Sequence, residues 1–95
     1  MPSQYAHYTR FAAEFAANGY KAPKRSLTSG ERHVLAIYDL LKDGEWHTAS
    51  EVMQITGSKS KAHTRNFIRS LMTPFNIASS QQGYCIINKN TILIV

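Results

Sequence analysis

Four cations stand within eleven positions of this chain, Lys59, Lys61, Arg65 and Arg69, and no carboxylate side chain lies among or after them. Up to Glu51 the six basic residues (Arg10, Lys21, Lys24, Arg25, Arg32, Lys42) are cancelled by six acidic ones (Glu14, Glu31, Asp39, Asp43, Glu45, Glu51). Beyond Glu51 only Lys89 joins the four, so the whole net charge of +5 sits in the later part of the sequence. Charge placed on one side in this way attracts polyanions, because neutralising phosphates releases their condensed counterions. The plainer reading of the same residues is a solvated cationic face that maintains solubility.

Other reactive types do not assemble into a site. The histidines, His7, His33, His47 and His63, are too far apart in sequence to supply a four-ligand metal site, and Cys85 has no cysteine partner. We expect them to be ordinary surface or interface residues, with His63 also able to touch a phosphate. Cys85 lies between Tyr84 and Ile86 in a strand-like alternation, which suits sheet packing better than nucleophilic attack. No paired carboxylates fall in the basic half and no glycine-rich phosphate loop follows a strand. The expectation is a protein without catalytic activity, metal or cofactor.

At 95 residues and 43% hydrophobic content the chain has the size of one domain with a small core. A lone cysteine and no signal-like pattern at the start point to a reducing cytoplasm. The longest apolar runs are too short to span a bilayer.

The elements that must position the basic cluster follow from periodicity and caps. Tyr5, Tyr8, Phe11 or Ala12, and Phe15 recur at helical spacing from about Ser3 to Asn18, and Gly19 stops that helix. An exposed connector or basic arm with Lys21, Pro23, Lys24 and Arg25 follows. The capping boxes Thr28-Ser29-Gly30-Glu31 and Thr48-Ala49-Ser50-Glu51 open two further helices. The first carries Val34, Leu35, Tyr38 and Leu41 on its apolar face and ends at Asp43-Gly44. The second carries Val52 and Ile55 and breaks at Thr56-Gly57. Between them, residues 45–48 form an extended stretch whose Trp46 is expected to plug the core. A fourth helix runs from a Ser58 cap to Met72, where Pro74 ends the pattern. It turns Phe67, Ile68, Leu71 and Met72 inward, with Thr64 on the same side, and Lys59, Ala62, Asn66 and Arg69 outward, flanked by His63 and Arg65. A hairpin follows, turning at Gln81-Gln82-Gly83, and then a β-branched stretch from Thr91 to Val95.

This order over residues 27–87, helix, short strand, helix, tight turn, helix, hairpin, resembles the winged helix-turn-helix family of DNA-binding domains. The resemblance implies an α+β, mostly α fold: a winged helix-turn-helix over residues 27–95, preceded at 1–26 by an extra aromatic helix and a basic connector, with the C-terminal β-hairpin as wing. It also implies that the helix from Lys59 to Arg69 enters the major groove of double-stranded DNA. Residue chemistry is in accord: arginine pairs bidentately with guanine and asparagine with adenine, so Arg65, Asn66 and Arg69 are the expected base readers. Ser58, Lys59, Ser60, Lys61, Ala62 and His63 would line the phosphate side of the contact. The wing turn offers Gln81 and Gln82 and no cation, with Lys89 a turn later.

The function expected on these grounds is sequence-specific binding of duplex DNA by a small transcriptional regulator of bacterial, archaeal or viral origin. A homodimer is expected, formed through Tyr5, Tyr8, Phe11 and Phe15 or through pairing of the Thr91 to Val95 strand. The same aromatic stripe could instead pad the core. The alternative function is a winged-helix module docking on another protein, such as a polymerase or a host factor. Structured RNA is a weaker option, since its narrow major groove excludes a reading helix.

Overall fold

Three helices start at a hydroxyl residue whose side chain accepts a hydrogen bond from an otherwise unpaired first-turn N–H. Thr28 accepts from the Glu31 amide (3.2 Å), while Glu31 Oε1 accepts from the Thr28 amide (3.0 Å), completing the first capping box. Thr48 accepts from the Glu51 amide (3.2 Å), but the Glu51 carboxylate bonds the His47 ring instead of reaching back to Thr48. Ser60, and not Ser58, caps the fourth helix by accepting from the His63 amide (3.1 Å). The computed structural model describes residues 5–87. Its elements are α1 (Tyr5–Ala17), α2 (Ser29–Leu41), α3 (Ala49–Thr56), α4 (Lys61–Phe75), β1 (Ile77–Ser80) and β2 (Gly83–Ile86). The chain is thus α+β and mostly helical, with an order of elements compatible with a winged helix.

The core draws on every helix: Phe11, Ala12 and Phe15 from α1, Val34, Ile37 and Leu41 from α2, Val52 from α3, and Phe67, Ile68, Leu71 and Phe75 from α4. Burying each large apolar side chain contributes roughly 1.5–3 kcal/mol. The aromatic stripe of α1 belongs to this core, with Phe11 and Phe15 buried inside the chain. Tyr8 stacks on Phe67 with ring centroids 4.6 Å apart, and Phe15 meets Phe75 edge-on at 6.1 Å. The face expected to form a dimer contact is therefore turned onto α4. The Tyr8 ring also lies against Gly30, so a Cβ there would have to displace the end of the Tyr8 side chain.

Pro74 does not end α4. The helix runs to Phe75, with Asn76 in the left-handed conformation as its C-cap. Proline lacks the N–H that would bond the carbonyl four residues earlier, which is that of Ser70. Thr9 of α1 donates its hydroxyl to that carbonyl at 2.8 Å, so a tertiary contact replaces the missing helical bond.

The strands pair antiparallel with Ile77 opposite Ile86 and Ser80 opposite Gly83. His47 exchanges both backbone hydrogen bonds with Tyr84 (2.8 and 2.7 Å), adding the stretch before α3 as a third, one-residue member of the sheet. At Gly83 a side chain would collide with the His47 carbonyl, and its φ of 118° is one that L-residues rarely adopt.

Several expected placements are corrected. Trp46 is 39% exposed and does not plug the core; Cys85, on β2, is buried, and its thiol donates to the Gly44 carbonyl at 3.1 Å. Ile55 is 43% exposed on the outer side of α3. On α2 the fully buried apolar positions are Val34, Ile37 and Leu41, whereas Leu35 and Tyr38 pack only at the core's edge. Arg25 is no free arm: both its terminal nitrogens hold the buried Glu31 carboxylate at 3.0 Å, with His7 at 3.3 Å. That hydrogen-bonded guanidinium, with the Thr28 amide, holds the Glu31 carboxyl down at about 2. Lys21 and Lys24 remain exposed. Among the described residues no helix is long and apolar enough to cross a membrane.

Candidate nucleic-acid interface

α3 ends at Gly57, whose φ of 75° lets its N–H bond the Met53 carbonyl (2.8 Å) while the chain turns. Ser58, Lys59 and Ser60 then form the turn into α4, and Thr64, buried as expected, donates to the Ser60 carbonyl at 2.9 Å. The turn and the start of α4 are thus fixed by short-range bonds, and the inward row Thr64, Phe67, Ile68, Leu71 and Phe75 fixes the rotation of the helix about its axis.

That rotation leaves Lys61, Ala62, Arg65, Asn66 and Arg69 exposed along the other side, with Lys59 exposed in the turn before them. Among the described residues none of Lys59, Lys61, Arg65 and Arg69 has a carboxylate partner; the ion pairs present involve His7, Arg25, Lys42 and His47. Lys61 and Arg65 also line a groove of about 450 Å³ between α4, the start of α3 and the hairpin. Hydroxyls and an amide supply much of the rest, from Thr48 and Ser50 at the start of α3, Ser79 and Ser80 on β1 and Gln81 in the turn, beside Ala49, Gly83 and Tyr84. Among the described residues no carboxylate lines it. Such a surface can hold an anionic ligand by charge and by many short hydrogen bonds, with arginine and asparagine free to make directional pairs.

Of the residues expected from sequence, the fold brings Lys61, Arg65 and Gln81 to one groove and sets Ala62, Asn66 and Arg69 along the helix beside it. Gln82 is exposed at the hairpin tip, its amide donating to Ser80 Oγ at 3.0 Å. Ser58 and Ser60 engage the turn itself, Ser58 Oγ donating to the Ser60 carbonyl and accepting from the Ser60 amide. His63 points to the opposite flank of α4, where its Nδ1 is 2.7 Å from the Tyr5 hydroxyl and its ring packs on Tyr5. Lys89 and the Thr91 to Val95 stretch lie outside the described residues. The groove also contains Thr48, Ser50, Ser79 and Ser80, which sequence reasoning did not single out. Thr48 and Ser50 could have been found, since they open the helix that precedes the turn.

One histidine is placed quite differently from expectation. His47, with a side chain only 14% exposed, lies between Glu51 (Nδ1–Oε2, 2.6 Å) and Asp43 (Nε2–Oδ2, 3.0 Å), next to the groove's Thr48. Hydrogen bonding to the Glu51 carboxylate, opposed by the cost of burial, and then to Asp43 raises its pKa. This imidazole ties the end of α2 to the start of α3 and, through its backbone, to β2. Burial pushes the Cys85 thiol up, in keeping with a packed and unreactive side chain.

Comparison of the chain with protein-family models, with curated proteins and with solved structures finds no match. Functional inference accordingly rests on the chemistry of this surface.

Proposed function

We propose that this chain is a winged helix-turn-helix protein that binds double-stranded DNA sequence-specifically, as a small dimeric transcriptional regulator. One observation carries the reading: four cations without carboxylate partners among the described residues flank an exposed asparagine on and just before a helix whose opposite face is anchored in the core. In this reading α4 enters the major groove, Arg65, Asn66 and Arg69 face base edges, and Lys59 and Lys61 bind phosphates. The groove hydroxyls and Gln81 add backbone contacts, so the hairpin serves as a wing without a cation of its own. With the α1 stripe buried, the route to a dimer would run through another surface, such as the Thr91 to Val95 stretch.

Selection of bound duplexes from a random pool, with sedimentation of the complex, tests the proposal. An enriched palindrome bound by two chains is expected, with affinity falling steeply as salt rises. Arg65→Ala or Arg69→Ala should lose about 1–3 kcal/mol on the selected site and relax base preference, whereas Lys59→Ala should weaken all duplexes alike. Absence of salt-dependent duplex binding would sink it. Exposed Trp46 and Ile55 are the observation that favours the second reading, docking on a protein partner. A stoichiometric partner recovered with the chain, alongside background DNA affinity, would decide for that alternative.

A further inference from the structure

Behind the α3–α4 turn, between those helices and α2, lies a cavity of about 150 Å³ that opens at the surface. Its floor is apolar, made by Ile37, Val52 and Phe67. An apolar cavity of roughly this size accommodates one benzene ring. The rim is polar and its hydrogen-bonding is one-sided. Thr56 and Thr64 donate their hydroxyl protons to the Val52 and Ser60 carbonyls (both 2.9 Å), and Ser58 donates to the Ser60 carbonyl (3.3 Å). Thr56 and Ser58 also accept from the Ser58 and Ser60 amides (both 3.4 Å), so the three hydroxyls have only remaining lone pairs to offer. The imidazole of half-buried His33 also lines the cavity and has no hydrogen bond among the described residues, while His63 on the other side is held by Tyr5.

We infer that this cavity is a binding site for a single aromatic ring carrying a hydrogen-bond donor, such as a phenol or an N–H azole. The ring would rest on Phe67, Ile37 and Val52. Its donor would meet the hydroxyl lone pairs or the His33 ring nitrogen. An aromatic carboxylate of the same size would find one donor in the His33 N–H but would set its charge against the hydroxyl lone pairs, and is disfavoured. An occupant would touch α2 and both sides of the α3–α4 turn at once. The inference concerns the cavity alone and stands whether or not α4 reads DNA.

Phenol is the probe, titrated into the full chain and followed by amide NMR, with toluene (the same shape without a donor) and benzoate as comparisons. Saturable shifts are expected at His33, Gly57, Ser58 and Thr64, with phenol at least fivefold tighter than either comparison compound. Phenol shifts that do not saturate or do not centre on these residues, or a preference under fivefold, would overturn the assignment. In folded His33→Leu, phenol affinity should fall at least threefold while toluene affinity is kept, and an unchanged phenol affinity counts against the site. Should that variant fail to fold, the three-compound comparison on the native chain decides.

Discussion

The two faces of α4 share a backbone and little else. The inner row, Thr64, Phe67, Ile68, Leu71 and Phe75, is buried against α1, α2 and α3, and its one polar member bonds back to Ser60. The outer row, Lys61, Ala62, Arg65, Asn66 and Arg69, is exposed and without carboxylate partners among the described residues. Stability should therefore reside on one side of the helix and affinity on the other, so substitutions on the two faces should separate cleanly.

The largest effect belongs to the inner face. Phe67→Ala should cost about 3–5 kcal/mol in denaturant unfolding, because it leaves a cavity under Tyr5 and Tyr8 as well as losing buried area. A stability change below about 1 kcal/mol would mean that α1 is not packed as described.

Acid should act next, through the support of α2 and not through α4. The folded-state pKa of Glu31 is depressed to about 2 from an ordinary 4.5, so its contribution is fully present above about pH 4.5. Stability should fall as pH drops from 4.5 through 2, and Glu31→Gln should flatten that slope in unfolding midpoints measured across the range.

Outer-face substitution should reverse the pattern of Phe67→Ala. Arg65→Ala and Arg69→Ala should stay within about 0.5 kcal/mol of the parent in stability while losing duplex affinity. Equal losses in both measurements would erase the distinction between the faces. A stability effect smaller than that of Phe67→Ala should come from Thr9→Val, which removes the donor that Pro74 obliges α4 to borrow. Leaving the partly buried Ser70 carbonyl unbonded should cost about 1 kcal/mol, measured by unfolding. Replacing Pro74 by Ala in that background should restore most of it.

The smallest effect is at the groove's edge. The folded-state pKa of His47 is raised, so its contribution is complete below the ordinary value of 6.5 and is lost as pH rises through the higher folded value. Its carboxylate partners are about half exposed, which keeps the change modest. A thermal midpoint that declines gently above neutral pH in the parent, and not in His47→Gln, would bear this out.

Much of this was legible in the residues because it depends on neighbours in sequence. Helix starts at Thr28 and Thr48 follow from hydroxyl caps, the stops at Gly19 and Gly57 from left-handed glycine, and the division of α4 into two faces from 3.6-residue spacing. The outward set on α4 was likewise visible, since whatever faces away from Phe67, Ile68 and Leu71 must meet solvent. Thr48, Ser50, Ser79 and Ser80 were harder to see, because nothing local says that three separated segments close on one groove.

By itself, then, the sequence determined the order of elements, the segregation of charge and the side of α4 that carries it, all of which arise from local geometry and composition. Only the tertiary structure decided that the α1 aromatics are core and that Trp46 is exposed. The same is true of Pro74 staying inside a helix because Thr9 satisfies Ser70, and of His47 joining two carboxylates. Each of these depends on a partner from another element, and helical or strand periodicity contains no information about which partner the chain will bring.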